Sequence, residues 1–566
     1  MKKIIIIAML LVSLGSCKKL DELLVNPNNP SPSTANTDLF FTQVQLSFAG
    51  LFNSLSGTGM ELTRQIVMYG PNYQNAYAPT AFDGVWSTAY TGVIKHANEL
   101  IPRATAEKKF TMAGITKILK AYTMMTMVDM FGDIPYTEAN LGGENTNPKA
   151  DKGADVYAKA IVLLDEAIAD IAKTGAASFP GTLDLFYNAS NATGAANWRR
   201  VAKTLKLRAY MNTRLVQNNT TAITALLTEN DLINTSAQDF EFKYGNKLAN
   251  PNTRHPRYNG NYTASGNAGD YIGTHFLWTL AVERGSGVNA DPRIRYYFYR
   301  QVLNNAQVTA NTSSCSVETR PAHYSTGSAN PYTGATYDMP FCLVANGTIG
   351  YWGRDHGDNS GIPPDGNLRT TVGIYPFGGE FDDNQATRVN LERGARGAGI
   401  QPIWHSAFTD FLRAEAAQAG ITTDNPKTHL ENGMRKSITK VLGYPATVSI
   451  TVNPARVPSQ TSIDNFVARV LNAYDVVTTP GEKLDVIMKE YYVALWGNGI
   501  DAYNMYRRTG KPANFQFTKI SGPGTFIRTF LYPSVYTNLN LNATPKPGTG
   551  VETPVFWDNN PATLFR

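Results

Sequence analysis

The sequence predicts a mostly α-helical protein: a scaffold of tetratricopeptide-like helix pairs, interrupted by one large irregular insertion with short strands. Three observations carry this. From about residue 39 to 230 the apolar residues recur with a helical period. From about 231 to 400 that period is lost among Gly, Asn, Pro, Thr and Tyr. From about 400 to 510 it returns.

Taken in order, the first sixteen residues hold a basic start (Lys2-Lys3), an apolar run from Ile4 to Leu14, and Gly15-Ser16 before Cys17. These are the parts of a secretory signal peptide. Leu14-Gly15-Ser16-Cys17 resembles a lipobox, in which the cysteine is diacylated and becomes the new N-terminus. Acyl chains on Cys17 anchor a soluble body to a membrane. Residues 17–38 read as a lipidated tether, because Asn26-Pro27-Asn28-Asn29-Pro30-Ser31-Pro32 favours extended chain. The remainder, 39–566, reads as one domain.

Within it, Val156, Ala160, Leu163, Leu164, Ala167, Ile168 and Ile171 form one stripe over more than four helical turns. Asn197 is the expected cap of the next helix. There Trp198, Val201, Ala202, Leu205 and Ala209 face inward, and Arg199, Arg200, Lys203, Lys206 and Arg214 face solvent. The Met-rich run from Met124 to Phe131 reads as core. No clean 34-residue repeat is present, so the tetratricopeptide reading rests on helix pairing. The stretch 231–400 is too long for a structureless loop and predicts packed loops and short strands. A helix is expected from Ile403 to Ala419, and Leu484, Ile487, Met488, Tyr491 and Leu495 share the face of another. The tail from Gly510 is again rich in Pro, Gly and Asn.

Composition narrows the function classes. Hydrophobic residues make up 42% of the chain, enough for a large core and against disorder. The net charge of +6 falls to +4 once Lys2 and Lys3 leave with the signal, and no basic run exists, so nucleic acid is not an expected partner. Beyond the leader there is no apolar stretch of about 18 residues, and hence no spanning helix is expected. The chain lacks G-x-S-x-G, H-E-x-x-H, a Walker A loop and a G-x-G-x-x-G turn. Carboxylates are plentiful, but a glycosidase pair is defined by separation in space. Cys315 and Cys342 are either a disulfide of an exported protein or two buried thiols.

Aromatic residues in loops are the more useful signal. Tyr73 and Tyr77 flank Gln74-Asn75, Tyr258 and Tyr262 flank Asn259-Gly260-Asn261, and Tyr351-Trp352 precede Arg354-Asp355. An aromatic face beside planar polar groups suits a sugar ring, whose C–H bonds stack on the π-cloud. No helical period demands that these residues be buried, so all eight are expected at a ligand surface. The segment from Arg354 to Asp365 is rich enough in oxygen donors for a structural calcium ion, although it departs from an EF-hand loop at Gly366. No cofactor is otherwise required.

An ordered set of motifs carries a family resemblance over nearly the whole chain. It comprises Cys17, Trp86-Ser87-Thr88-Ala89-Tyr90, Asp129-Met130-Phe131-Gly132-Asp133-Ile134-Pro135-Tyr136, and Trp198 through Arg208. Further on come Gly373-Ile374-Tyr375-Pro376-Phe377-Gly378-Gly379, Arg413-Ala414-Glu415, Arg507-Arg508-Thr509-Gly510 and Phe556-Trp557-Asp558. The chain resembles SusD/RagB-type outer-membrane lipoproteins of the Bacteroidetes, in particular the second SusD-like subfamily. Ile403-Trp404-His405-Ser406 departs from the pattern, where a tyrosine-bearing segment is expected. The resemblance implies four tetratricopeptide-like helix pairs and an irregular region that carries the ligand. It implies a glycan, or in some members a peptide, bound at the cell surface. It also implies a SusC-like TonB-dependent transporter beneath, which would meet a polar face including Arg199 and Lys203. Asp21-Glu22 resembles the acidic export signal of these bacteria and points to the cell exterior. A secreted glycan hydrolase is the alternative from another class, and a purely structural lipoprotein is a third reading.

Overall fold

The computed structural model describes residues 36–173, 179–303, 318–344, 349–359, 366 and 368–564. The leader, Cys17 and the tether lie outside them.

Asn36 caps α1 (Thr37–Leu62), accepting the amide of Asp38. A continuous helical stretch follows, α2 (Asp83–Ser87) running through a π-type segment (Thr88–Ile94) into α3 (Lys95–Ala106). The Met-rich run lies in α4 (Phe110–Phe131), which is buried along nearly its whole length. It pairs with α5 (Gly153–Ala172), whose buried residues Val156, Ala160, Leu164, Ala167 and Ile171 are the predicted stripe. Then come α6 (Ala192–Thr213) and α7 (Thr220–Glu229). Asn197 is not the cap of α6. Asn191 is, with its side chain on the amide of Gly194, because Thr193-Gly194-Ala195-Ala196 contains nothing that stops an earlier start.

The charged side of α6 is not a solvated face either. Arg200 bonds Asp231, Lys203 bonds Glu229 and Asp231, Lys206 bonds Asp165 and Arg214 bonds Glu415. Neighbours lie against α6 on several sides, so its bases are spent within the fold. Arg199 is half-buried, and the expectation that Arg199 and Lys203 stand out as a docking face is corrected.

The insertion contains β1 (Phe240–Lys243), α8 (Pro256–Asn261), α9 (Thr274–Trp278), α10 (Ile294–Tyr297) and four two-residue strands: β2 (Phe298–Tyr299), β3 (Ser328–Ala329), β4 (Thr336–Tyr337) and β5 (Thr371–Val372). Antiparallel pairs β2–β5 and β3–β4 stitch it internally. β6 (Ile400–Trp404) returns to pair antiparallel with β1. A helix starting at Ile403 is therefore overturned. The strand consumes Ile403 and Trp404, and α11 (Ser406–Gln418) starts after His405.

The scaffold continues with α12 (Pro426–Thr447), α13 (Gln460–Val476), α14 (Pro480–Ala494) and α15 (Gly499–Thr509). Thr479 and Glu482 form a reciprocal capping box ahead of Pro480, and Gly510 at φ 67° ends α15 in the left-handed region. Helices α4 and α5, α11 and α12, and α13 and α14 pack as successive pairs, the tetratricopeptide-like arrangement. A short α16 (Ser534–Thr537) lies in the irregular tail. Among the described residues no helix is long and apolar enough to cross a membrane.

A continuous hydrophobic core runs from α1 to Trp557 and includes Trp86, Trp198 and Trp496; Trp198 is buried as its helical stripe predicts, while Trp496 is buried from the turn between α14 and α15. A buried polar knot lies within it. Arg208 donates from Nε to Asp501 (2.6 Å) and from Nη2 to Asp129 (3.0 Å). Asp129 also accepts from Tyr157, from Asn504 (2.7 Å) and from the Trp557 indole (2.9 Å). The knot joins α4, α5, α6, α15 and the tail.

Candidate functional site

α1 ends at Glu61-Leu62, and Arg64 takes a left-handed turn at φ 62°. This places the following residues in extended chain beside residues 271–274, with Ile66 bridged to Ile272 and the Val67 amide on the Tyr271 carbonyl (3.0 Å). Gly273 is in turn bridged to Arg354. The three segments approach too closely for side chains at two points. A Cβ on Gly353 would meet the Ile272 carbonyl at 1.9 Å, and one on Gly273 the Arg64 carbonyl at 2.1 Å.

Side chains from the three segments form an aromatic row. Tyr69 packs edge-on to Tyr271 (6.4 Å between centroids), and Tyr271 packs edge-on to Trp352 (6.2 Å). Guanidinium groups of Arg354 and Arg369 lie 4.5 and 3.8 Å from the Tyr271 ring centre. Trp352 and Tyr271 are buried, whereas Tyr69 is 40% exposed. The row therefore offers one ring to solvent, held by a rigid base.

The charges of Arg369, Asp270, Arg354 and Glu61 act on the Tyr69 hydroxyl, and both carboxylates are themselves bonded. Asp270 accepts from Arg257 (2.6 Å) and from Asn261 (2.7 Å). Tyr77 donates to Glu61 (2.6 Å). Burial pushes the Glu61 carboxyl up to about 7, and the neighbouring Asp270 charge acts in the same direction, while the Tyr77 bond and Arg257 oppose it. The unfolded chain loses this proton near pH 4.5 and the folded chain near 7. Stability is thus expected to fall as pH rises across that window, since the folded state binds more protons there. Glu61→Gln should flatten this decline in thermal melts taken from pH 4.5 to 7.5; an unchanged slope would refute the assignment.

The structure brings the sequence-predicted segments together but buries seven of the eight side chains and half-buries Tyr77, which corrects the expectation of an exposed face. The Tyr73 hydroxyl bonds Arg64 (3.0 Å) and the His356 Nε2 (2.9 Å) inside the core. Tyr77 packs against the core while reaching Glu61. Tyr258 and Tyr262 stack on each other at 4.4 Å, fully buried. The Tyr258 hydroxyl donates to the carbonyls of Leu391 and Arg393, and that of Tyr262 to Val372. These rings are part of the continuous core, and loop carbonyls satisfy their hydroxyl groups. Tyr351 is 7% exposed and lies under the Arg300 guanidinium at 4.7 Å. Trp352 and Arg354 are buried on the opposite side of the same extended segment, as alternation along a strand requires. Asp355 accepts the Cys342 amide (3.2 Å), and burial pushes its carboxyl up to about 6.

In the proposed calcium loop Asp358 pairs with Lys519 (3.1 Å), and residues 360–365 lie outside the described ones. Cys342 is disulfide-bonded, which decides against a buried thiol there; Cys315 lies outside the described residues. Asp239, Glu241 and His405 bring three metal-type ligands together, but the Lys440 ammonium bonds Glu241 (2.7 Å) and Asp239 (3.1 Å) and supplies the cation.

Sequence reading passed over Tyr69 because it closes the apolar run Ile66-Val67-Met68. The turn signal Gly70-Pro71-Asn72 just after it was the mark of a surface position.

A scaffold of tetratricopeptide-like helix pairs with an irregular insertion is the architecture that the resemblance to SusD/RagB-type proteins implies. The chain belongs to the SusD-like family. A family model described as starch-binding associating with outer membrane matches residues 27–348, and one described as SusD and RagB outer membrane lipoprotein matches residues 397–536. Among solved structures, a SusD/RagB family protein from Bacteroides thetaiotaomicron is similar at 17% identity and a TM-score of 0.63, covering 93% of this chain and 100% of that one. A chitin-binding protein has the same values. A chitin-binding SusD homologue from Flavobacterium johnsoniae is similar at 17% identity and a TM-score of 0.57, covering 92% of this chain and 96% of that one. No curated protein matches the chain.

Proposed function

We propose that the protein is a non-catalytic, surface-exposed lipoprotein that captures a glycan at the Tyr69 face and delivers it to a SusC-like TonB-dependent transporter. The observation that carries the reading is the exposed Tyr69 ring, braced by Tyr271 and close to the Asp270 and Glu61 carboxylates, which bond Arg257 and Tyr77 in turn. A pyranose stacks its C–H face on such a ring while its hydroxyls bond the planar polar groups around it. Weak capture suffices for a protein tethered beside its transporter, because tethering raises the effective concentration of ligand. Anchoring through Cys17 is part of the proposal and rests on the lipobox and the family's description as outer membrane lipoproteins.

Chitin and starch oligosaccharides are the first probes, since chitin-binding proteins are among the similar structures and the family model is described as starch-binding. Tyr69→Ala should weaken binding by about 1–3 kcal/mol, by analogy with ring stacking on single-stranded bases, and leave the melting temperature nearly unchanged. Tyr262→Ala should do the reverse, lowering stability and reducing binding only through unfolding. Calorimetric titration beside a melting curve for each variant separates the two. Normal binding by folded Tyr69→Ala would place the ligand elsewhere.

A further inference from the structure

Behind the segment that carries Trp352 lies a second recess, a cavity of about 800 Å³. It opens between the insertion (Ala281–Arg300, Ile349 and Tyr351) and the loop Ala455–Ser459 with Ser462 in the first turn of α13. Its walls are aliphatic, including Val282, Val288, Pro292 and Ile294. Val288 is 92% exposed at the rim. Tyr351 is the one aromatic residue among the lining residues, and Arg300 covers its ring, so stacking of a neutral sugar has no free face here.

The charges are one-sided. Four charged residues line the cavity: Asp291, Arg295, Arg300 and Arg456. The Asp291 side chain has no exposure and is bonded to Arg284 (2.5 Å) and Arg293 (2.7 Å). Arg300 is tied to Asp382 (2.6 Å) and to the Ile349 carbonyl (2.8 Å). Arg295 differs. Its Nη1 donates to the Asp382 carbonyl (2.9 Å) and to Asn384 (2.7 Å) and lies 3.6 Å from the Asp382 carboxylate that Arg300 already binds, while its Nε and Nη2 have no hydrogen-bond partner among the described residues. The exposed Arg456 makes no side-chain hydrogen bond or ion pair among them. Arg295 is thus an oriented guanidinium, held by one nitrogen with its other edge unspent, the geometry that takes a carboxylate through two parallel bonds.

We propose that this cavity is a second binding site, for a carboxylate-bearing sugar of the hexuronic acid class, with Arg295 as the fork, Arg456 as a second charge, and the aliphatic wall against the ring. It rests on the reading of the protein as a glycan binder but uses none of the residues of the Tyr69 face. The test is calorimetric titration with digalacturonate and with its dimethyl ester, which keeps the shape and removes the charge. The acid should bind about tenfold or more tightly than the ester, as expected for loss of a charge-assisted bond. Arg295→Gln should weaken the acid by a similar factor with little effect on the ester, and Tyr69→Ala should leave acid binding intact. Equal binding of acid and ester, no binding of the acid at millimolar concentration, or wild-type binding by the Arg295→Gln/Arg456→Gln double variant would each overturn the proposal. Failure of chitin and starch probes with retained acid binding would instead count against the Tyr69 face alone.

Discussion

Arg208→Met should lower the free energy of unfolding by about 3–5 kcal/mol, the usual consequence of removing one partner of a buried ion pair. Arg208 is 2% exposed and stands between Asp129, which is wholly buried, and Asp501. Methionine fills much the same volume, so the loss is electrostatic: two carboxylates remain in a place water does not reach. Tyr157, Asn504 and Trp557 still donate to Asp129, and Asn498 to Asp501, but none carries a positive charge. Adding Asp129→Asn and Asp501→Asn to the variant should recover part of the loss, because neutral amides do not need the guanidinium. Urea unfolding followed by tryptophan fluorescence measures both. A single variant within about 1 kcal/mol of wild type, the range of exposed pairs, would mean that the knot is solvated.

Trp198→Ala should cost about 3–5 kcal/mol, the range for deleting a large ring from a closed core. Trp198 is fully buried among Phe186, Tyr187 and Phe240, with ring centres 5.3–5.6 Å away. Its indole also donates to Asp184 (2.8 Å), a carboxylate that further accepts the amides of Phe186 and Ala189 and so folds the chain ahead of α6. Trp198→Phe should lose less, about 1–2 kcal/mol, because the core stays filled and one donor to Asp184 is missing. Equal losses for the two substitutions would show that the hydrogen bond, not the cavity, dominates.

These residues show what the sequence can carry. The inward side of Trp198 was legible because neighbours at helical spacing share its face, and the same period placed the stripe of α5; the methionines of α4 were legible from composition, as a continuous apolar run. Which acids meet the outward bases of α6 was not legible. Asp165, Asp231 and Glu415 come from three other elements, and no local pattern records that meeting. The candidate site divides in the same way. Loop composition found the segments that converge at the end of α1, because packed loops and binding faces both need aromatic residues. It did not tell the buried rings from the exposed one. That depends on cross-chain contacts such as Tyr73 with His356, 283 residues away, or Tyr262 with Val372, 110 away. Tyr69 is distinguished by standing at the open end of the row.

The bond from Trp557 to Asp129 spans 428 residues. Helix pairs such as α4 and α5 join neighbours in sequence and belong to the fast, local part of folding. The knot at Asp129 needs α15 and then almost the last residues of the chain. During synthesis the N-terminal helices are therefore complete long before the carboxylate they enclose is satisfied. The native state is reached by closing a loop of 428 residues. The entropy of that closure grows only slowly with length, but long-range closure slows folding. A chain clipped just before Trp557 retains every helix of the scaffold and leaves Asp129 one donor short, so the last stitch of the knot is made by the irregular tail and not by any helix.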